Sequence, residues 1–308
     1  MIRVTFLGTA AARPTVGRNV SALMVQREGD QWLFDCGEGT QRQMMRYGTG
    51  FGIRGIFITH LHADHFLGII GLLRTLALQD RTEPLSIWGP SGSSPILHSA
   101  IYLGQGRLPY PVEILELEAG DRVCQEEYDV VALPVRHGTP AVGYMLEEHP
   151  RPGRFDVDRA RALGVPEGPL FGKLHRGETV EGKAGPVRPE DVVGPARPGR
   201  TVVYSGDTRP CSGIREAAVG TELLVHDATF ADEELDRARF THHSTAREAA
   251  EIARKAGARR LALTHISARY SQNPTPLEEE ARTVFPDAMV ARDGLVFEIG
   301  YPQEDSEE

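Results

Sequence analysis

The tightest constraint on this 308-residue chain is one hexapeptide, His60-Leu61-His62-Ala63-Asp64-His65. Before it stands Gly55-Ile56-Phe57-Ile58-Thr59, a β-branched and aromatic run that predicts a buried strand. After it, Phe66-Leu67-Gly68-Ile69-Ile70-Gly71-Leu72-Leu73 predicts the first turns of a buried helix reaching about Gln79. Four metal-capable side chains therefore fall on a strand-to-helix turn. In extended backbone His60 and His62 share a side, because side chains two apart point the same way; Asp64 and His65, past the bend, face a second centre. Imidazole and carboxylate donors suit zinc and similar divalent ions. A polar loop in which Asp64 caps the helix is the alternative reading, and the grouping of the four residues favours metal.

A chain of this length with 40% hydrophobic residues can bury a large core as one domain or two. No apolar run is long enough to span a membrane. The N-terminus enters an alternating strand without a charged-then-apolar signal segment, and Cys36, Cys124 and Cys211 are too few and too scattered for a disulfide framework. A cytoplasmic location is the expectation. The net charge of −9 argues weakly against a nucleic-acid partner, because polyanion binders usually present basic surfaces. Charge is unevenly distributed, however: residues 151–200 carry ten Lys and Arg against seven Asp and Glu, while the tail Glu304-Asp305-Ser306-Glu307-Glu308 carries four negatives and reads as a solvated end.

Strands are expected at 2–7, 20–26, 31–35, 85–88, 112–117, 122–135 and 141–146, with helices from Thr40 and over 93–102. From Glu147 to Arg200 the sequence becomes rich in Pro, Gly and charge, the texture of an exposed excursion or mobile loop. Beyond it, strands at 201–205, 222–226, 260–264 and 288–299 alternate with helices at 213–219, 244–256 and 275–284. Such an order suits two sheets packed together with helices outside.

Three more donors close predicted strands: His137 after Val135-Arg136, Asp207 in Tyr204-Ser205-Gly206-Asp207-Thr208, and His265 after Leu263-Thr264. Each alone reads more simply as a turn or capping residue. Together with the four at 60–65 they make seven, the number two metal ions with a shared carboxylate require.

With these seven residues in view, the sequence resembles the metallo-β-lactamase superfamily, whose HxHxDH motif matches His60, His62, Asp64 and His65, and within it the ribonuclease Z family. Further matches are Phe34-Asp35-Cys36-Gly37-Glu38-Gly39-Thr40-Gln41-Arg42-Gln43, the HEAT-like His226-Asp227-Ala228-Thr229, the HST-like His243-Ser244-Thr245, and Gly168-Pro169-Leu170-Phe171-Gly172-Lys173-Leu174, which resembles that family's flexible tRNA-gripping arm. The resemblance implies an α/β (α+β) fold, a four-layer αββα sandwich spanning 1–308, with an inserted flexible arm over 148–200 serving as a tRNA-binding exosite. It also implies two Zn2+ per subunit, with Mn2+ or other divalent ions as substitutes. His60, His62, His137 and Asp207 would hold one ion; Asp64, His65, His265 and the shared Asp207 would hold the other.

The implied activity is removal of the 3′ trailer from precursor tRNA by a cytoplasmic homodimer, leaving a 3′-hydroxyl on the tRNA. Asp64 would orient the attacking water, the family's general-base position. His243 would protonate the departing ribose oxygen with Asp227 as its carboxylate partner, Asp227 standing where the family has Glu; His243 as a plain helix-start residue, with Ser244 capping, is the alternative. Pro14-Thr15-Val16-Gly17-Arg18-Asn19 resembles the family's PxKxRN loop, with Val16 in place of Lys, and Arg18 and Asn19 are the expected substrate contacts there. In the arm, Arg151, Arg154, Gly168, Pro169 and Lys173 are expected to meet tRNA. Two other readings use the same residues: another phosphodiesterase of the superfamily, such as a cyclic phosphodiesterase, or a non-catalytic RNA-binding relative.

Overall fold

The alternating residues after Met1 form a strand, and the rest of the first sheet assembles around it. A computed structural model describes residues 1–103 and 106–301; the acidic tail at 304–308 lies outside the described residues. The first half of the chain lays down β1 (Ile2–Gly8), β2 (Ala22–Arg27), β3 (Asp30–Phe34), α1 (Thr40–Tyr47), β4 (Gly55–Phe57), α2 (Ala63–Phe66), α3 (Ile69–Leu78), β5 (Leu85–Pro90), α4 (Ser94–Tyr102), β6 (Val112–Leu117), β7 (Arg122–Cys124), β8 (Tyr128–Pro134) and β9 (Val142–Glu148). The second half adds α5 (Val157–Ala162), α6 (Pro169–His175), β10 (Val180–Gly182), β11 (Gly185–Val187), β12 (Thr201–Tyr204), α7 (Ser212–Ala217), β13 (Leu223–Asp227), α8 (Leu235–Phe240), α9 (Ala246–Ala256), β14 (Leu261–Thr264), α10 (Thr275–Arg282), β15 (Ala288–Val290) and β16 (Val296–Ile299).

Two seven-stranded sheets result, ordered β16-β1-β2-β3-β4-β5-β6 and β15-β14-β13-β12-β9-β8-β7. Between them Phe6, Trp32, Phe34, Phe57, Trp88, Tyr144 and Tyr204 are buried. Phe57 stacks on Phe34 and on Trp88 with ring centroids 5.1 and 4.5 Å apart, contacts worth about 0.5–1.5 kcal/mol each beyond burial. The outer face of the first sheet buries Leu33, Ile56 and Ile58 against Leu72, Leu76 and Leu97 of α3 and α4. That of the second buries Val203, Leu224 and Leu263 against α9 and α10. On α9 the buried residues are Ala246, Ala249, Ala250, Ile252, Ala253 and Ala256, mostly small side chains that let the helix lie close. The architecture is the expected αββα sandwich.

Strand direction decides where chemistry gathers. β1 runs antiparallel to β2 and β2 to β3, while β3, β4 and β5 are parallel. In the other sheet β12, β13, β14 and β15 are parallel, and β8 is antiparallel to β9, itself antiparallel to β12. All these parallel strands end at one edge of the sandwich, so the segments after β1, β3, β4, β8, β12, β13 and β14 converge there. Ligand sites at the carboxyl ends of parallel strands follow the same rule.

Four differences from the sequence reading have local causes. The stretch 122–135 is a hairpin, because β7 and β8 turn back on each other with Gln125 bonding Tyr128 across the turn. The stretch 288–299 is two strands in different sheets, broken by a turn at Asp293-Gly294. Helix α9 is capped by Thr245, whose hydroxyl accepts from Glu248 N while Glu248 returns a bond to Thr245 N. Ser244 instead donates to Thr208 O. The segment after β9, expected as an irregular loop, folds into α5, α6 and a hairpin around its own small core of Ala160, Val165, Leu174, Val180, Val187 and Val192.

Candidate metal centre

All seven donor residues meet at the convergent edge. His60 and His62, two apart after β4, bring Nε2 and Nδ1 within 2.9 Å, and His137 Nε2 comes within 3.3 Å of the same His62 nitrogen. Asp64 and His65 enter from α2, and His265 Nε2 lies 3.2 Å from Asp64 Oδ2 and 3.4 Å from His65 Nε2. Asp207, after β12, stands between the two groups: its Oδ2 is 3.5 Å from His60 Nε2, 3.3 Å from His65 Nε2 and 3.3 Å from His265 Nε2. The donor atoms fall into the sets His60, His62, His137, Asp207 and Asp64, His65, His265, each within 4.8 Å, and a third set of the same span joins Asp207 and His265 to Asp227 and His243. His60 and His65 are fully buried, whereas His62 and His137 face the cleft.

The opposite nitrogen of four imidazoles is already engaged, which fixes the nitrogen that faces inward. His65 Nδ1 lies 2.8 Å from Asp35 Oδ2, a carboxylate that also accepts from Thr59 and Tyr204. His60 Nδ1 is 3.0 Å from Thr59 Oγ1, His265 Nδ1 is 2.9 Å from Thr229 Oγ1, and His137 Nδ1 donates to the carbonyl of His242 at 3.2 Å. Asp64 Oδ2 accepts from Ala12 N at 2.7 Å. Sequence reading assigned none of these five partners a role. Three of them, Ala12, Asp35 and His242, share a feature that only the backbone reveals: all are non-glycine residues with φ near +60°.

Burial, with the neighbouring His65 adding to it, pushes the His60 imidazole well below its ordinary pKa. Burial acts the same way on His65 but is outweighed by Asp207, Asp35 and Asp64, which hold it well above. Asp207 is buried too, yet His265, His65 and His60 keep it ionised far below the usual carboxylate range. Among the described residues Asp207 Oδ1 is buried with no hydrogen-bond partner. A buried orphan oxygen on an ionised carboxylate, ringed by imidazole nitrogens, fits a divalent cation in a way a purely structural cluster does not.

Beside the cluster, His243 Nδ1 lies 2.9 Å from Asp227 Oδ2, so the Asp one methylene shorter than the family's Glu still reaches the ring. Asp227 is held in turn by Thr208 N, Thr229 N and Thr229 Oγ1. Burial works against protonation of His243, but Asp227 prevails and raises its pKa to about 9. The ring stacks on His265 with centroids 5.0 Å apart.

Comparison with known proteins bears on this geometry. Residues 2–93 match the family model described as Anti-Pycsar protein Apyc1, and residues 180–266 the Beta-lactamase superfamily domain. The chain is 56% identical to a protein named Ribonuclease Z from Gemmatimonas aurantiaca, over 98% of this chain and 97% of that one, and 54% identical to one of the same name from Haloferax volcanii, over 99% and 97%. The chain belongs to the ribonuclease Z family. Among solved structures, human tRNase Z, short form, superposes with a TM-score of 0.69 at 29% identity, covering 97% of this chain and 99% of that one.

Set against the ribonuclease Z pattern, the residues expected at the substrate divide. Arg18, expected on a phosphate, turns inward: it is 6% exposed, and its Nη1 donates to Thr9 Oγ1 at 2.7 Å and Ala291 O at 2.5 Å. Asn19 donates from Nδ2 to Glu38 O. Both therefore hold the loop from inside, because a motif records residue type and not the side of the loop a residue takes. Arg151 sits at the root of the inserted segment, its guanidinium stacked 3.3 Å from the Tyr301 ring centroid. Arg154, Gly168, Pro169 and Lys173 are exposed on that segment, Gly168 with φ +123° before Pro169 opens α6.

Proposed function

We propose that this chain is a divalent-metal-dependent endoribonuclease that removes the 3′ trailer from precursor tRNA. The observation that carries the reading is a histidine outside the seven donors, His243, clamped by Asp227 at the rim of the cluster. A metal-storage or binding role would not need such a group. His60, His62, His137 and Asp207 would hold one ion, and Asp64, His65, His265 and Asp207 a second, with Zn2+ the best match to the donors and Mn2+ a substitute. Such ions supply charge neutralisation at the phosphate and acidify water. Asp64, fixed by Ala12 N, would orient the attacking water. His243, with Nδ1 on Asp227, has Nε2 left to deliver a proton to the departing ribose 3′ oxygen.

The inserted segment supports a homodimer. β9 begins beside the donor edge, where Val142 N bonds Thr59 O, and runs away from it; the segment leaves after Glu148 and returns at Thr201. From Thr201 to Asp207 is six residues, roughly 20 Å of extended chain. The segment is thus rooted at the edge opposite its own donors, which supports its holding a tRNA engaged by a second copy. No helix among the described residues is long and apolar enough to cross a membrane, and we infer a cytoplasmic enzyme.

The test is cleavage of a labelled precursor tRNA, with a small phosphodiester and a cyclic nucleotide assayed in parallel. His243→Ala should lower kcat on precursor tRNA by roughly 10²–10⁴-fold while bound metal stays unchanged. Deletion of 154–193 rejoins Gly153 and Gly194, which already touch, since a Cβ on Gly153 would lie 1.9 Å from Gly194 O. It should abolish tRNA cleavage and spare the small ester. Hydrolysis of the cyclic nucleotide with precursor tRNA left intact would replace the proposal with a cyclic phosphodiesterase.

A further inference from the structure

One carboxylate far along the sequence reaches the donor edge without joining the donors. Asp293 occupies the turn between β15 and β16, where the chain crosses from one sheet to the other. Its Oδ1 accepts from Thr9 Oγ1 at 2.8 Å; its Oδ2 accepts from Asn19 N at 2.6 Å and Gln43 Nε2 at 2.8 Å. Thr9 and Asn19 are the two ends of the loop that follows β1. They are also tied to each other, because Asn19 O accepts from Thr9 N and Ala10 N. The buried Arg18 guanidinium bonds Thr9 Oγ1 and Ala291 O, bringing a positive charge to the same junction.

What this clamp holds is the approach to Asp64. Ala12, inside the loop, has φ +60°, a left-handed conformation that a residue with a Cβ adopts only when its surroundings impose it. In that conformation its N–H points at Asp64 Oδ2, 2.7 Å away. The far side of the loop, from Arg13 to Gly17, walls a broad open depression of about 850 Å³ together with Ala268, Ser271 and Gln272. The loop thus touches Asp64 on one side and this depression on the other, and one carboxylate fixes both of its ends.

We propose that Asp293 is a positioning residue for the centre: by clamping Thr9 and Asn19 it sets the Ala12 N–H that orients Asp64. The inference rests on Asp64 facing metal and water as proposed above. Because Asp293 touches no donor, its loss acts through the loop. Partners one layer out from metal donors typically change metal affinity or activity by about 10–100-fold.

The experiment compares wild type with Asp293→Ala, the near-isosteric Thr9→Val, and the control Val219→Ala, which alters an exposed side chain away from the loop and the donor edge. Three quantities are measured: Zn2+ affinity by competition with a chromophoric chelator, kcat and KM on precursor tRNA, and the urea midpoint. Asp293→Ala should weaken binding of one Zn2+ per chain and lower kcat, each by about 10–100-fold, with KM within about threefold. Thr9→Val should do the same more weakly, and Val219→Ala should match wild type. Wild-type Zn2+ affinity in Asp293→Ala overturns the proposal, as do losses that disappear once variant and wild type are compared equally folded. If Asp293→Ala does not fold, Thr9→Val decides: weakened Zn2+ binding supports the clamp and unchanged binding overturns it. If wild type binds Zn2+ but leaves precursor tRNA intact, the substrate reading fails, while the Zn2+ comparison still decides the role of Asp293.

Discussion

At the scale of single residues, the buried charges away from the centre make the sharpest stability prediction. Glu148 accepts from Arg200 Nε at 2.8 Å and Arg27 Nε at 2.7 Å, all three side chains being almost fully buried. Burial alone would raise the pKa of Glu148, but Arg200 and Arg27 outweigh it and depress it from 4.5 to about 2. A depressed carboxylate contributes stability that is full above its unfolded pKa and lost as pH falls through the folded value. The urea midpoint should therefore decline between about pH 4.5 and 2, and Glu148→Ala should cost about 3–5 kcal/mol at neutral pH and flatten that decline, because two buried guanidinium groups lose their partner. Four donors were legible in the sequence from their grouping at 60–65, whereas His137, Asp207 and His265 were legible only as the rest of a count, because each alone reads as a turn or capping residue. Asp35, Thr229, Ala12 N and the His242 carbonyl were not legible, since a hydrogen bond from a distant loop, by side chain or backbone, leaves no spacing to read. The inward turn of Arg18 was not legible for the related reason that its partners, Thr9 and Ala291, lie in segments that follow strands of different sheets.

At the scale of elements, the central motif runs from the end of β4 into α2, and the glycine that joins α2 to α3 is there for backbone contact. Gly68 has an ordinary helical φ, but a Cβ on it would lie 2.0 Å from Gly37 O and 2.8 Å from Cys36 O. Those neighbours hold the motif in place through Cys36 N on His65 O at 2.7 Å and Gly68 N on Cys36 O at 2.8 Å. Gly68→Ala should destabilise the chain by about 3 kcal/mol and weaken Zn2+ binding, read by thermal melting and chelator competition. Strand positions and the αββα layering were legible because alternation and strand–helix order follow directly from burial on one face. The division of 288–299 between two sheets was not, since Val290 and Val296 look alike in sequence and only their partners, Leu263 and Thr5, differ. The inserted segment hid its core for another reason: its apolar residues are spread over two short helices and a hairpin, each too short to show a period.

At the scale of the whole molecule, placing the inserted segment opposite its own donors makes a prediction about mixtures. A chain lacking 154–193 keeps its centre, and a His243→Ala chain keeps its inserted segment. If each segment serves the other copy's centre, unfolding and refolding the two inactive variants together at equal amounts should restore about a quarter of wild-type turnover on precursor tRNA, since half the dimers are mixed and each has one working centre. Refolding either alone should restore none, and a mixture without activity would refute service between copies. The pairing of Ile2 with Ile299 has a consequence in time. A chain emerging from its N-terminus exposes the outer edge of β1 throughout synthesis. Only after residues 265, 293 and 299 have followed are the last imidazole, the loop clamp and the closing strand present. Contacts this distant in sequence form late. The donors of the first ion are all present once Asp207 has emerged, whereas the second set, and with it a complete centre for cutting RNA, should assemble only once nearly the whole chain has left the ribosome.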